Sequence, residues 1–277
     1  MFDFYFGTDE EIEADEEKYL LSIKRMLPKW CNSIPDSEYI ALFRLCEERA
    51  RECAPPIIVE TGVGASTIVL AFCAMKHFGI LYSWDISGEK GSYLKSVMVD
   101  TICKYFKLDI NEFWKFIAYN SGDSHLGIPV IKELEIQIDF SFHDSKHTLL
   151  NLMNEIDLCY DLYADGAIIA IDDGSYTNFY ENFSYINILR KKLGLDPVEN
   201  PDDNICAPFH MEIEESLKLD WESVEHIDDD YKKMYKEDMW FKYFANEFDE
   251  KVKFGMEVPD TLEHRFDAWR VNGRIQF

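Results

Sequence analysis

A glycine-rich turn between a candidate strand and a candidate helix is the first part of the sequence in which we expect chemistry. Ile57 to Glu60 is a short apolar run that ends in an acid, and Gly62 and Gly64 follow closely. Glycines let the backbone pass close to a ligand, and the next helix offers free N–H groups. Asp85 stands 21 residues after Gly64, at the end of the next apolar run, and can accept hydrogen bonds from two ribose hydroxyls. Glu60 can orient the loop or meet a cationic group.

The elements that must position these residues follow from the alternation of short apolar runs with helical stretches. In open α/β sheets, ligands bind beyond the carboxyl ends of the strands, where both acids should lie. The alternation indicates a parallel sheet with helices on both faces. The expected strands cover 57–60, 80–84, 116–119, 138–143 and 167–171, and the expected helices cover 66–78, 93–106 and 149–158.

The two ends of the chain differ from this middle part. Residues 9–54 have helical periodicity, which Pro55-Pro56 ends. Arg265 to Val271 and Arg274 to Phe277 flank Asn272-Gly273, the signature of a two-residue hairpin. The predicted fold is α/β, a Rossmann-like, doubly wound, seven-stranded sheet that is mostly parallel and finishes in an antiparallel hairpin. We divide the chain into an N-terminal helical cap (1–54), a cofactor-binding core (55–199), an acidic, aromatic-rich insert (200–263) and the terminal hairpin (264–277).

Composition limits the partners. The 277 residues carry 53 acids against 28 Lys and Arg, a formal charge of −25, which argues against nucleic acid and against an anionic membrane surface. No apolar run approaches the ~18 residues that span a bilayer, and the acidic N-terminus is unlike a targeting leader. Seven scattered cysteines without a CxxC pair favour a reducing cytoplasm. A small molecule is the expected partner, and a homo-oligomer is possible.

The glycine turn lacks the third glycine of a dinucleotide fingerprint, since Thr67 stands at that position. An acid before Gly62-Val63-Gly64-Ala65-Ser66 instead resembles motif I of the class I S-adenosylmethionine-dependent methyltransferases. The resemblance implies that Glu60, Gly62, Gly64 and Ser66 bind S-adenosyl-L-methionine and that Asp85 is the ribose-binding acid.

Three further stretches extend the resemblance over residues 55 to 195. Gly122-Asp123-Ser124 is similar to a GDS turn beside the adenine, and His143 to His147 stands where relatives carry an "IDGDH"-like segment. Asp165 to Asp173 resembles the family's glycine, strand and paired-acid stretch. The resemblance therefore adds Gly122, Asp123, Ser124 and Asp144 to the expected cofactor-binding residues.

Three carboxylates should converge beyond the fourth and fifth strands, which are neighbours in this fold: Asp144, Asp172 and Asp173. Crowded carboxylates repel one another unless a cation or a shared proton is present, and oxygen ligands suit Mg²⁺, Ca²⁺ or Mn²⁺. Their positions resemble those of the divalent-metal-dependent O-methyltransferases. Asp173 stands where catechol-type enzymes usually have Asn, which favours the sugar-modifying branch. In the alternative interpretation, Asp144 contacts only the methionine part of the cofactor, and Asp172-Asp173 cap a helix.

The expected reaction is methyl transfer to a hydroxyl of a small, polyhydroxylated acceptor. A divalent metal, with Mg²⁺ preferred, would be held by Asp144 beside the reacting atoms and would lower the pKa of that hydroxyl. His147 is the first candidate for the base, because its ordinary pKa suits neutral pH. Lys146 is the second candidate, and His143 is interpreted as structural.

The insert has 19 acids and 7 bases over residues 200–263, and is either packed core or a lid that favours neutral or cationic acceptors. Three alternatives stay open for the whole chain. It could be a metal-independent N- or O-methyltransferase, a nicotinamide-dependent oxidoreductase, or a catalytically silent binding protein with the same fold.

Overall fold

The computed structural model describes residues 6–146, 149–172, 221–223 and 267–271. Seven strands form one sheet in the order β3-β2-β1-β4-β5-β7-β6. They are β1 (Ile57–Thr61), β2 (Ile80–Trp84), β3 (Trp114–Ile117), β4 (Ile138–His143), β5 (Tyr163–Ile171), β6 (Trp221–Ser223) and β7 (Asp267–Val271). β1 to β5 pair in parallel, whereas β7 is antiparallel to both β5 and β6.

Helices cover both faces of this sheet. Nine α-helices lie in the described part of the chain, with a single 3₁₀ turn at Lys29–Cys31. They are α1 (Asp9–Ala14), α2 (Glu16–Lys24), α3 (Asp36–Cys53), α4 (Ala65–Lys76), α5 (Gly88–Asp100), α6 (Ile102–Phe106), α7 (Ile110–Phe113), α8 (Val130–Glu133) and α9 (Leu149–Tyr160). None of these described helices is both long and apolar enough to cross a bilayer.

The strands alternate their side chains between two cores, as a pleated sheet requires. Ile58, Phe140 and Ile168 belong to the core shared with α2 to α7. Val59 and Ile169, one residue further along their strands, belong to the core on the face that carries α8 and α9. The predicted doubly wound α/β fold is therefore confirmed.

The N-terminal helices pack onto the sheet rather than extending from it. Asp15 caps α2 by accepting from the Lys18 backbone N–H, and α2 and α3 both contact α4. The buried Arg49 on α3 donates to Asp139 Oδ1 at 3.0 Å, and Asp139 Oδ2 accepts from the Ile57 N–H at 3.0 Å. This links the N-terminal helices directly to the starts of β1 and β4.

Four local predictions need correction. β3 begins two residues before the predicted 116, and the helix predicted over 93–106 is interrupted at Thr101, which separates α5 from α6. β5 begins at Tyr163 rather than at residue 167. Gly166 lies inside this strand with a positive φ of 74°, and the register with β4 shifts between Ile138 and Phe140. The edge strand beside β7 is β6, from within the predicted insert.

The predicted hairpin is therefore placed only in part. Its first arm is the antiparallel strand β7, next to β5. Its second arm, residues 274–277, lies outside the described residues, as do Asn272-Gly273 and most of the insert.

Candidate functional site

The order of the strands determines where a ligand can enter. β2 and β3 are added on one side of β1, whereas β4 and β5 are added on its other side. The strand order therefore reverses between β1 and β4. In open α/β sheets, a crevice forms at this point beyond the carboxyl ends of the strands. Thr61 of β1 is in register with His143 of β4, which places Gly62 and Asp144 side by side at the mouth of the crevice.

Gly62 is required by the protein itself. Its φ is +82°, and its N–H donates to the Trp84 carbonyl at 2.8 Å. A Cβ at this position would overlap the backbone carbonyl of Asp144. Only glycine combines the positive φ with this close approach of two backbones.

Gly64 presents the opposite case. Its φ of −170° is extended backbone that any residue can adopt. A Cβ there would meet only the Cys31 carbonyl oxygen, at an ordinary contact distance of 3.5 Å. The surrounding protein therefore does not require glycine at position 64, because a Cβ there would make only one ordinary contact.

Glu60 is fully buried beneath this turn. Its Oε1 accepts from Ser66 Oγ at 2.7 Å and from Thr67 Oγ1 at 3.0 Å, and its Oε2 accepts from Ser83 Oγ at 2.7 Å. Thr67 Oγ1 in turn accepts from the Gly64 N–H at 3.0 Å. Burial raises the pKa of Glu60 to about 8, against the opposing effect of the three hydroxyls. Of the two roles the sequence left open, Glu60 has the contacts for orienting the loop.

Asp85 joins the second strand to the same turn. Its Oδ2 accepts from the Val63 N–H at 3.0 Å, and its Oδ1 accepts from the Ser87 N–H at 2.7 Å. Lys90 Nζ lies 3.5 Å from Oδ2. Next to Asp85, the Ile86 side chain is 85% exposed, which is an apolar surface beside a carboxylate. This pairing suits a nucleoside, whose ribose is polar and whose base has flat apolar faces.

The loop after β3 is held by its own side chains. Asn120 Oδ1 accepts from the Gly122 N–H at 2.9 Å. Asp123 Oδ1 accepts from the N–H groups of His125 and Leu126 at 2.8 and 3.0 Å, and these bonds lower the pKa of Asp123. The carboxylate of Asp123 therefore closes the loop, while Ser124 is exposed at its tip.

The backbones of two acids, Asp144 after β4 and Asp172 after β5, lie at the same edge of the sheet. The Asp144 N–H donates to the Thr61 carbonyl at 2.8 Å, and the Asp172 N–H donates to the His143 carbonyl at 3.1 Å. Asp144 and Asp172 thus follow neighbouring strands at the same edge. Lys146 is exposed, whereas Asp173 and His147 lie outside the described residues. In the described part of the chain, no group of three metal-ligating side chains is assembled.

Sequence reasoning missed Glu155 of α9. Its carboxylate is buried. Oε1 accepts from Ser121 Oγ and from Ser145 Oγ, the latter at 2.6 Å. Oε2 accepts from Thr61 Oγ1 at 2.7 Å. His143, interpreted from sequence as structural, is fully buried, with Nδ1 3.3 Å from Oε2. One signal was available in the sequence, because Glu155 lies on the apolar stripe of α9 together with Leu152 and Cys159.

A known protein family matches this part of the chain. Residues 59–174 match the family of the "methyltransferase domain", a span that begins in β1 and ends just beyond β5. This part of the chain is therefore similar to a methyltransferase domain, which agrees with the resemblance of its motifs to the class I S-adenosylmethionine-dependent methyltransferases. No curated protein sequence matches the chain significantly.

Solved structures similar to this chain include several O-methyltransferases. One from Bacillus cereus, in complex with S-adenosylhomocysteine, is 15% identical, with 76% of this chain and 83% of that chain covered and a TM-score of 0.43. TomG of tomaymycin synthesis from Streptomyces achromogenes, in complex with S-adenosylmethionine, is 12% identical, with 76% and 81% covered and a TM-score of 0.44. CalS11, a TDP-rhamnose 3'-O-methyltransferase of calicheamicin biosynthesis, is 17% identical, with 74% and 95% covered and a TM-score of 0.43.

Proposed function

We propose that this chain is an S-adenosylmethionine-dependent methyltransferase that acts on a hydroxyl oxygen of a small, polyhydroxylated acceptor, in a reducing cytoplasm, with a divalent cation held near the reacting oxygen. The observation that carries the proposal is the meeting of Gly62, Asp85 and Asp144 at the crevice between β1 and β4. The six described cysteines are all free, which agrees with a reducing compartment.

The cofactor residues divide into those that contact the ligand and those that hold the loop. The absence of a side chain at Gly64 lets the cofactor approach the backbone of the turn, and Asp85 accepts from the ribose hydroxyls with lone pairs that Val63 and Ser87 leave available. The loop at Gly122, Asp123 and Ser124 lines the adenine side. The hydroxyl of Ser66 is buried against Glu60, so its side chain supports the loop and its backbone belongs to the helix start that faces the ligand.

The chemistry of the donors proposed at the other side of the crevice suits a hard cation. Asp144 and Asp172 follow neighbouring strands and would supply carboxylate oxygens, and Mg²⁺ is usually bound by one or two carboxylates together with water and substrate oxygens. Asp173 is the third proposed ligand. When bound, such a cation would lower the pKa of the acceptor hydroxyl.

The protein residues then position and deprotonate the acceptor. S-adenosylmethionine supplies an electrophilic methyl group on a sulfonium sulfur. As the oxygen–carbon bond forms and the sulfur–carbon bond breaks, His147, or Lys146 as the second candidate, takes the hydroxyl proton. Most of the acceleration would come from holding the two reactants in line. The acidic insert favours a neutral or cationic acceptor, since its 19 acids outnumber its 7 bases and repel anions.

Calorimetric titration with S-adenosylhomocysteine, with and without Mg²⁺, tests this proposal. Wild type is expected to bind, Asp85→Ala to lose at least a hundredfold in affinity, and Asp172→Asn to lose only the Mg²⁺-dependent part. Asp100→Ala, which removes an exposed carboxylate of α5 that pairs only with a surface lysine, is the matched control.

Each failure has a separate meaning. Binding without any Mg²⁺ effect would leave a metal-independent N- or O-methyltransferase. The absence of binding in both conditions would leave a silent binding protein with the same fold.

A further inference from the structure

Glu155 contacts the chain directly beside each of three segments that face the crevice. Thr61 precedes Gly62, Ser121 precedes Gly122, and His143 and Ser145 flank Asp144. All four side chains are bonded to the carboxylate of Glu155. A single side chain therefore joins the ends of β1 and β4 and the loop after β3, which are far apart in sequence.

The carboxylate is enclosed and its bonds are numerous. Glu155 is 1% exposed. Oε1 also accepts from Asn151 Nδ2 at 3.1 Å, and Asn151 Nδ2 lies 2.8 Å from Ser145 Oγ. Burial alone would raise the pKa of Glu155, but the bonds from His143, Ser121 and Ser145 hold it below the ordinary value. The side chain is therefore ionised throughout the neutral range.

Packing alone does not account for an ionised side chain here. Glu155 lies on the stripe of α9 that buries Leu152, Ile156 and Cys159, where a leucine would continue the apolar core. Burying a charge costs several kcal/mol unless its bonds are well made. What the carboxylate adds, and leucine could not, is a set of hydrogen bonds that reaches all three segments at once.

We propose that Glu155 is a positioning residue for the cofactor site, which sets Gly62, Gly122 and Asp144 at the spacing that S-adenosylmethionine requires. The inference rests on the proposed function, because it assumes that these three segments line the cofactor. It assigns the role to a residue that has no direct contact with the ligand and acts through Thr61, Ser121 and Ser145.

Two measurements on the same variants test this role. Glu155→Gln keeps the shape of the side chain but removes its charge and one acceptor oxygen. It is expected to weaken S-adenosylhomocysteine binding at least tenfold by calorimetry, since bonds to a charged group are lost. In the protein without ligand, amide hydrogen exchange is expected to accelerate together in residues 61–64, 120–124 and 143–146.

Glu47→Gln is the matched control. Glu47 is also buried and multiply bonded, to Lys76, His77 and Arg51, but it lies at the other end of α4 from the glycine turn. Its substitution should lower the melting temperature while the affinity for S-adenosylhomocysteine stays within twofold of wild type. This separates loss of positioning from general loss of stability.

The outcomes distinguish this inference from the proposed function. If wild type does not bind S-adenosylhomocysteine, the proposed function fails, and joint acceleration of exchange still supports the positioning role. A folded Glu155→Gln protein with wild-type affinity and unchanged exchange would overturn the inference. If Glu155→Gln does not fold, Ser121→Ala removes one bond to the same carboxylate. It should weaken binding severalfold and accelerate exchange at 120–124, and wild-type behaviour would contradict the proposal.

Discussion

Glu60 and Glu155 are both enclosed at the edge of the sheet where the strands end, with exposures of 0% and 1%. Nevertheless their pKa values shift in opposite directions, because their partners differ. Burial raises the pKa of Glu60 to about 8, since its side-chain partners are three neutral hydroxyls and the negative charge of Asp144 adds to the effect. For Glu155, the bonds that include the His143 ring outweigh burial.

The difference separates two ways of supporting one site. Glu60 keeps its proton at neutral pH, so its protonated oxygen donates in one of its bonds instead of accepting. Its partners are Ser66 and Thr67, six and seven residues away, and Ser83 on the adjacent strand. Glu155 is ionised and collects donors from three segments, the furthest being Thr61, 94 residues away. A neutral carboxyl is sufficient to shape one turn, whereas joining three loops requires the stronger bonds of a charged group.

The largest expected effect is at the turn that both glutamates support. Gly62→Ala should destabilise the protein by about 4 kcal/mol, because a left-handed residue is strained and the new Cβ overlaps the Asp144 carbonyl. Gly64→Ala should change the free energy of unfolding by less than about 1 kcal/mol, since its φ is ordinary. It should nevertheless abolish S-adenosylhomocysteine binding. Urea unfolding and calorimetry measure both effects, and equal destabilisation by the two variants would contradict the distinction.

The second prediction uses the opposite pKa shifts. Because the pKa of Glu60 is raised from 4.5 to about 8, its contribution to stability is complete below 4.5 and is lost as the pH rises toward 8. The slope should reach about 1.4 kcal/mol per pH unit. Glu155 has the opposite sign, since its lowered pKa gives stability above 4.5 that is lost only in more acidic solution.

Glu60→Gln is the variant that isolates this dependence. The difference in free energy of unfolding between wild type and Glu60→Gln, measured by urea titration from pH 5 to 8.5, should decrease as the pH rises. The carboxyl group of Glu155 itself should add no pH dependence over that range, because its pKa is lowered below 4.5. Parallel curves for wild type and Glu60→Gln would show that Glu60 does not bind a proton near neutral pH.

The third prediction compares one donor of each glutamate. Thr61→Val removes a donor to Glu155 without changing shape, and Ser83→Ala removes a donor to Glu60 and the acceptor for Trp114 Nε1. Each should cost about 1–2 kcal/mol of stability, since buried partners are left unsatisfied. Only Thr61→Val should weaken S-adenosylhomocysteine binding severalfold. Similar effects of the two variants on affinity would remove the distinction between the glutamates.

The sequence predicted the parts of this site that depend on local pattern. β1, β2 and β4 were located to within a residue, because apolar runs next to glycine, proline or an acid mark both ends of a buried strand. Gly62, Asp85 and Asp144 follow from those strand ends. The roles proposed for Asp173 and His147 stay predictions, because both residues lie outside the described part of the chain.

What the sequence did not predict depends on contacts between distant segments. β6 has three residues and too little length for any periodicity, and it is a strand only because β7 lies beside it. Glu155 was passed over because a single acid on an apolar stripe has no meaning until Thr61, Ser121 and Ser145 converge on it. Local propensity does not contain that information.

The smallest predicted effect tests how far the Glu155 cluster extends. Asn151 lies one turn of α9 before Glu155, and its Nδ2 donates to both Ser145 Oγ and Glu155 Oε1. Asn151→Ala should cost about 0.5–1.5 kcal/mol in urea unfolding, as one partly buried bond does. The affinity for S-adenosylhomocysteine should fall by less than about threefold, since Ser121 and Thr61 still fix the carboxylate. A tenfold loss of affinity would show that the loop at Ser145, rather than the Glu155 carboxylate, determines binding. The contrast between Glu60 and Glu155 would then no longer be a property of one charged side chain.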